Sequence, residues 1–177
     1  MRRSTRKTAN RQRIVVRAAK ESDAKELGTF LMRAWREAGP GAPGFTGASE
    51  EAVKEISSEK FLIGTLADPK AKMLIAIADS GVVGFASLRA GRSRSAELSG
   101  IVVLQSASGL GIGTRLIRKS LALATRLGFR NISVQTEVFN KRAIGFYEEN
   151  GFVEAGRRTE KVGEARVVLQ VLRKTLT

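Results

Sequence analysis

The chain is organised around one stretch, IVVLQSASGLGIGTRL at residues 101–116. It opens with four apolar residues, typical of the end of a buried strand, and from residue 112 onward apolar residues recur at helical spacing. Gly109, Gly111 and Gly113 lie between the two patterns. Because these glycines remove side chains where the helix begins, backbone N–H groups without intrahelical partners can converge there and bind an anion such as phosphate. The stretch therefore predicts a strand, an anion-binding loop and a helix.

The glycine spacing differs from that of both common nucleotide-binding loops. A dinucleotide fingerprint requires its third glycine where this chain has Thr114, and a P-loop requires a lysine that the loop lacks. The loop resembles the pyrophosphate loop of the GNAT superfamily of N-acetyltransferases, Gln/Arg-x-x-Gly-x-Gly/Ala, with Ser108, Gly111 and Gly113 at its fixed positions. Ser108 replaces the usual Gln or Arg, so we expect a weaker phosphate contact. The alternative is that the glycines form only a tight turn.

A second motif, NKRAIGFYEENGF at residues 140–152, follows one predicted strand later. It resembles the Asn-x-x-Ala-x-x-x-Tyr signature, followed by Gly-Phe, that closes a GNAT site. Asn140 is placed to cap a short helix, and three- and four-residue spacings put Ala143, Phe146 and Tyr147 on one side of it. Alone, the motif also fits core aromatics behind an ordinary cap. Two matching motifs in sequence favour the family interpretation.

The resemblance implies a mixed α/β (α+β) fold, with a twisted and mostly antiparallel sheet of about seven strands, one splayed parallel pair and about four flanking helices. The local patterns agree with this fold as a single domain over residues 13–177. They predict helices at 24–38, 48–66, 113–127 and 141–149, and strands at 13–19, 73–78, 82–89, 95–103, 132–139, 152–161 and 165–172.

Composition excludes several classes of chemistry. The 177 residues, 42% of them hydrophobic, suit one domain with a real core. The chain has no cysteine and no histidine, which removes disulfides, thiolate metal sites and serine–histidine triads, so we expect no metal. With no apolar run of membrane-spanning length and no signal-peptide pattern, we expect a cytoplasmic protein without a membrane partner.

The net charge of +14 is unevenly distributed, because six basic residues and no acidic ones lie within residues 1–13. Residues 1–12 are predicted to be a disordered basic arm, which can contact nucleic acid or serve only as a solubility tail. A basic nucleic-acid-binding protein is therefore one alternative function. The 6% aromatic content and the absence of a helix-turn-helix spacing count against it.

The resemblance implies that acetyl-CoA is the co-substrate and that its acetyl group passes to a primary amine by direct attack in a ternary complex. The acceptor, a small molecule, peptide or protein, carries no signature in the sequence. A degenerate member that only binds coenzyme A is a further alternative, and a homodimer is common in the family. The residues assigned to the coenzyme by the two motifs are Ile101, Val102, Val103, Ser108, Gly109, Leu110, Gly111, Ile112, Gly113, Thr114, Asn140, Ala143, Phe146 and Tyr147.

Three residues are assigned to the chemistry. Tyr147, the only tyrosine, is protonated at neutral pH and can donate a proton to the departing thiolate. The resemblance assigns the backbone N–H that polarises the carbonyl to about Val103. Two-residue spacing predicts Glu97 on the strand face of Val103. The resemblance implies that a carboxylate at this place takes the amine's proton, directly or through water. Glu137 is the second candidate base, and either carboxylate can instead hold an ammonium or form a surface ion pair.

One loop is a candidate for the acceptor side. Residues 39–47, GPGAPGFTG, lie between two predicted helices and hold two of the three prolines and four glycines. Such a segment can cover a substrate, since binding residues concentrate on loops held by a rigid scaffold. A plain connector is the alternative.

Overall fold

The computed structural model describes residues 13–177, so the predicted basic arm at 1–12 lies outside the described residues. The strands are β1 Val15–Ala18, β2 Ala71–Ala78, β3 Gly81–Ala90, β4 Ser95–Val103, β5 Asn131–Glu137, β6 Val153–Val162 and β7 Ala165–Thr175. They form one sheet in the order β1-β2-β3-β4-β5-β7-β6, in which only β4 and β5 are parallel neighbours within the described part of the chain. This mixed sheet confirms the predicted fold class.

The described residues form five α-helices where about four were predicted. They are α1 Ala24–Ala38, α2 Glu50–Ile56, α3 Glu59–Ala67, α4 Ile112–Arg126 and α5 Lys141–Glu149. The prediction of a single helical region over 48–66 is wrong, because α2 ends at Ile56 and α3 begins at Glu59, with Ser57 and Ser58 between them. The Ser58 side chain accepts the Phe61 N–H and caps the new helix. Ile56 and Phe61, which flank the break, are exposed.

Helices cover both faces of the first four strands. α4 buries Ile112, Leu116 and Ile117 against one face, and a Cβ at Gly84 of β3 would press on the first two. α1 packs against β3, and α3 packs against β2. Successive residues of β2 point to opposite faces of the sheet and are buried on both, so both faces of β2 are covered. Since α4 covers one face, α1 and α3 cover the other. The close approach at Gly84 holds the start of α4 at the end of β4.

β4 and β5 are paired over only part of their length. Their register runs from Ser95 opposite Asn131 to Leu98 opposite Val134. Beyond that point β4 continues along β3 as far as Val103, and β5 continues along β7. The two strands therefore part into a wedge that opens toward the glycine loop.

A pair of glycine substitutions tests how tightly α1 packs on the α2–α3 turn. A Cβ at Gly28 would overlap the carbonyl oxygen of Ser57, whereas a Cβ at Gly64 in α3 meets nothing within 4 Å. We expect Gly28→Ala to lower the free energy of unfolding by about 1–3 kcal/mol despite alanine's helix propensity. Gly64→Ala should raise it by about 0.5–1 kcal/mol. Urea unfolding checks both values, and effects of the same sign would contradict the packing.

Candidate functional site

The glycine loop forms an open helix N-terminus at the end of β4. After a 3₁₀ turn at Gln105–Ala107, Gly109 and Gly111 adopt left-handed φ values of 80° and 69°. Gly111 is the N-cap of α4, so no side chain caps the N–H groups of its first turn, and a Cβ at Gly111 would meet nothing within 4 Å. The arrangement can bind an anion through main-chain N–H groups and the positive end of the helix dipole.

Hydrogen bonds fasten this loop to α1. The Ser106 N–H donates to Glu37 Oε2 at 3.1 Å, its hydroxyl donates to Glu37 Oε1 at 3.1 Å, and Arg33 Nη2 donates to Ser106 Oγ at 3.1 Å. Burial pushes the pKa of Glu37 upward, but hydrogen bonds from Ser106 and Arg33 outweigh it and lower this pKa. Sequence patterns missed this anchor; the i,i+4 pair of Arg33 and Glu37 was its only local signal.

The second motif lies beside the first turn of α4. Asn140 Oδ1 accepts the Ala143 N–H at 3.2 Å and caps α5, while Asn140 Nδ2 donates to Thr136 Oγ1 at 3.1 Å. A Cβ at Gly113 would lie 3.5 Å from the ring of Phe146. The fold thus brings the two motifs together, with the aromatic ring of Phe146 next to the first turn of α4.

Tyr147 is buried between two aromatic rings. Its side chain is 6% exposed, and its ring meets Phe146 and Phe152 edge-on at centroid distances of 5.4 and 5.7 Å. Burial raises the pKa of Tyr147 to about 12. Among residues 13–177 no group forms a hydrogen bond with its hydroxyl. The phenol is therefore protonated at neutral pH and has a proton to donate.

The coenzyme residues predicted from the motifs differ in burial. Ile112 is buried in the core, so it offers the loop only its backbone. Asn140, Ala143 and Phe146 on α5 are half-buried. On β4 and the loop, the half-buried residues are Ile101, Val102, Val103, Gly113 and Thr114, and the exposed ones are Ser108, Gly109, Leu110 and Gly111.

Glu97 lies on the opposite strand face from the one predicted. Pairing of β3 with β4 shifts by one residue, so that Ser99 is an extra residue in a β-bulge. Val103 lies opposite Gly84 on the face under α4, whereas Glu97 lies opposite Arg89 on the other face. The prediction that Glu97 shares the face of Val103 is wrong, because strict alternation fails across a bulge.

Glu97 belongs to a polar row that crosses from β4 to β5. It is half-buried, and Gln135 Nε2 donates a hydrogen bond to Glu97 Oε1 at 3.1 Å. Ser133 lies opposite Glu97 in the parallel register, and alternation puts Gln135 and Glu137 on the same face of β5. This row lies beside the wedge on the sheet face opposite α4.

Glu137 ends β5 and is 6% exposed. Its Oε1 accepts the backbone N–H of Gly44 at 2.7 Å, and its Oε2 accepts the Thr136 hydroxyl at 3.3 Å. The same loop also approaches the β6–β7 turn, where a Cβ at Gly47 would lie 2.8 Å from the carbonyl oxygen of Val162. Loop 39–47 thus spans from the end of α1 to the tip of the last hairpin.

The part of the chain that the structure describes holds neither a cluster of metal-binding side chains nor a membrane-spanning helix. Residues 13–177 contain no group of three or more acidic residues placed to hold a metal ion. Within the same residues no helix is both long enough and apolar enough to cross a membrane.

Comparison with known sequences places this geometry in a family. The family model described as Acetyltransferase (GNAT) family matches residues 25–152. An uncharacterized N-acetyltransferase of Mycobacterium tuberculosis is 32% identical over 142 residues, which are 80% of this chain and 90% of that protein. Another of Bacillus subtilis is 29% identical over 144 residues, 78% of this chain and 89% of that protein. The chain belongs to the GNAT family of N-acetyltransferases.

A solved structure has a similar fold. The PaiA N-acetyltransferase of Thermoplasma acidophilum, determined in complex with coenzyme A, superposes with a TM-score of 0.73. The match covers 92% of this chain and 99% of that one at 20% sequence identity, so it supports the fold alone.

Titration of the phenol tests the burial of Tyr147 directly. Tyr147 is the only tyrosine, so tyrosinate absorbance reports this residue alone. We expect a midpoint near pH 12 in the folded protein, against about 10 for an exposed phenol. The pKa of Tyr147 is higher in the folded protein than in the unfolded chain, so the protonated phenol contributes to the free energy of unfolding. This contribution is complete below pH 10 and is lost as pH rises toward 12. Tyr147→Phe should abolish the signal, and a midpoint near 10 before unfolding would contradict the burial.

Proposed function

We propose that this protein is an acetyl-CoA-dependent N-acetyltransferase that acetylates a primary amine by direct attack in a ternary complex. The observation that carries the proposal is the uncapped N-terminus of α4, reached through glycines with left-handed φ and lying beside Tyr147's helix. Main-chain N–H groups from Gly111 to Thr114 would hold the coenzyme's diphosphate. The open space at Gly111 and the exposed loop fit such a group.

Two side chains and one main-chain N–H have separate roles in the acetyl transfer that we propose. The amine nitrogen forms a bond to the acetyl carbon while the carbon–sulfur bond breaks. Glu97 takes the proton that the amine loses, directly or through water, and Tyr147 gives a proton to the departing sulfur. The N–H of Val103, on the β4 segment that has parted from β5, polarises the carbonyl. Residues 13–177 act as one domain, since a single sheet joins both sides of the wedge.

A matched pair of glycine variants tests the diphosphate site. Gly111 and Gly128 are both exposed, both have left-handed φ, and neither has an atom within 4 Å of a Cβ. Glutamate should strain both positions equally, but only Gly111→Glu puts a negative charge at the coenzyme's diphosphate. We expect it to weaken coenzyme A binding by about a hundredfold or more in calorimetry, with Gly128→Glu close to wild type. Equal affinities for the two variants would contradict the site.

Removal of the Tyr147 hydroxyl tests the acid. An acceptor screen that follows free thiol, run with peptide N-termini, lysine, polyamines, aminoglycosides and small amino metabolites, first identifies an amine. With that amine we expect Tyr147→Phe to lower kcat by about a hundredfold, because general acid catalysis is worth that order of magnitude. An unchanged kcat would contradict the assignment. Coenzyme A binding without thiol release from any amine would favour a degenerate, binding-only protein.

A further inference from the structure

We infer that Glu137 is a positioning residue that fastens loop 39–47 over the acceptor side of the wedge and thereby sets the affinity for the amine. This segment is called the acceptor loop below. The inference rests on the proposed function, because it concerns the amine that this function requires. It takes the segment to be a substrate cover and not a plain connector.

The contact itself is short and buried. Glu137 Oε1 accepts the Gly44 N–H at 2.7 Å, and the residue is 6% exposed. Hydrogen bonds to an ionised acceptor are stronger than neutral ones. Within residues 13–177 no lysine or arginine forms an ion pair with this carboxylate. The main-chain N–H of the acceptor loop is therefore a principal compensation for burying the group.

The acceptor loop depends on such contacts for its shape. Four of its residues, at 39, 41, 44 and 47, are glycines with φ between 73° and 88°. Its own hydrogen bonds are three successive turns, from Ala42 to Gly39, Phe45 to Ala42 and Ala48 to Phe45. These turns fix the local path but do not attach the loop to the sheet. The bond from Gly44 to Glu137 makes that attachment across the sheet.

The attachment is located where an amine must pass. Glu137 ends β5, three residues after Val134, where β5 has already parted from β4. It lies on the same face of β5 as Gln135, which hydrogen-bonds Glu97. In our proposal the amine approaches Glu97 from this face and passes beneath the acceptor loop. The position of the loop therefore controls the room available to the acceptor.

The geometry also separates the two carboxylates by role. Both oxygens of Glu137 already accept hydrogen bonds, one from Gly44 and one from Thr136. Glu97 is half-buried and has one hydrogen bond, from Gln135. A carboxylate offers about four acceptor positions on its two oxygens, so Glu97 has more of them left for the amine's proton than Glu137 has. We therefore assign the base to Glu97 and the attachment of the loop to Glu137.

Two substitutions at Glu137 distinguish a positioning residue from a base. Glu137→Gln keeps an oxygen that can accept the Gly44 N–H, whereas Glu137→Ala removes it. We expect Glu137→Ala to raise KM for the amine by about tenfold or more, with KM for acetyl-CoA unchanged, and Glu137→Gln to recover most of that loss. If Glu137 were the base, both variants would lower kcat alike and alter its pH profile, which would overturn the inference.

Hydrogen exchange supplies a readout that does not depend on activity. We expect the Gly44 amide to exchange about tenfold faster or more in Glu137→Ala than in wild type, and to remain protected in Glu137→Gln. Unchanged exchange and unchanged amine KM in Glu137→Ala would overturn the inference. Failure of the proposed function would appear separately, as wild-type protein that releases no thiol while its Gly44 amide still responds to the substitution.

Two control variants complete the design. Glu26 Oε1 accepts the Val82 N–H at 2.9 Å near the opposite end of α1, so Glu26→Ala removes the same kind of bond far from the acceptor loop. It should leave the amine KM and the Gly44 exchange at wild-type values. Glu97→Gln should lower kcat with little change in amine KM. An amine KM raised as much by Glu26→Ala as by Glu137→Ala would mean a general loss of stability and would overturn the inference.

Discussion

The parallel pair of β4 and β5 is hydrogen-bonded over four residue pairs and then parts, and the site depends on where that pairing stops. A main-chain N–H or C=O that loses its strand partner in a protein interior must find another. On β4 the segment up to Val103 keeps β3 on one side and faces the open wedge on the other. These unpaired edges give the site main-chain donors and acceptors that no side chain supplies.

The chemical groups around the wedge come from separate helices, strands and loops, whose relative positions are fixed by packing and hydrogen bonds. α4 is positioned by its packing over Gly84, and α5 by the contact of Phe146 with the first turn of α4. Ser106 ties the glycine loop to α1 through Glu37. The glycine-loop side of the wedge is therefore built on helices packed against the sheet, whereas loop 39–47 is attached to the sheet through the bond from Gly44 to Glu137. The two sides of the wedge differ in how firmly the fold holds them.

The sequence predicted those parts of the fold and site whose causes are local. The glycine loop, the Asn140 cap and the crossover that makes β4 and β5 parallel all depend on spacings within one segment. The start of α3 after Ser58 has a local cause too, the Ser58 cap, but the apolar pattern continues through it and predicted one long helix. The bulge at Ser99 and the bond from Gly44 to Glu137 involve partners distant in the chain. Spacing within one segment carries no information about such partners.

The extra residue at Ser99 limits how the sequence can vary between Glu97 and the glycine loop. Removing that single residue would abolish the bulge but leave Val103 opposite Gly84 and Glu97 opposite Arg89, so the carboxylate would keep its face of the sheet. Removing a second residue would turn the carboxylate toward the apolar layer beneath α4, where an unpaired charge is unfavourable. A relative that lacks one residue in this segment would therefore still present its carboxylate on the same face of the sheet.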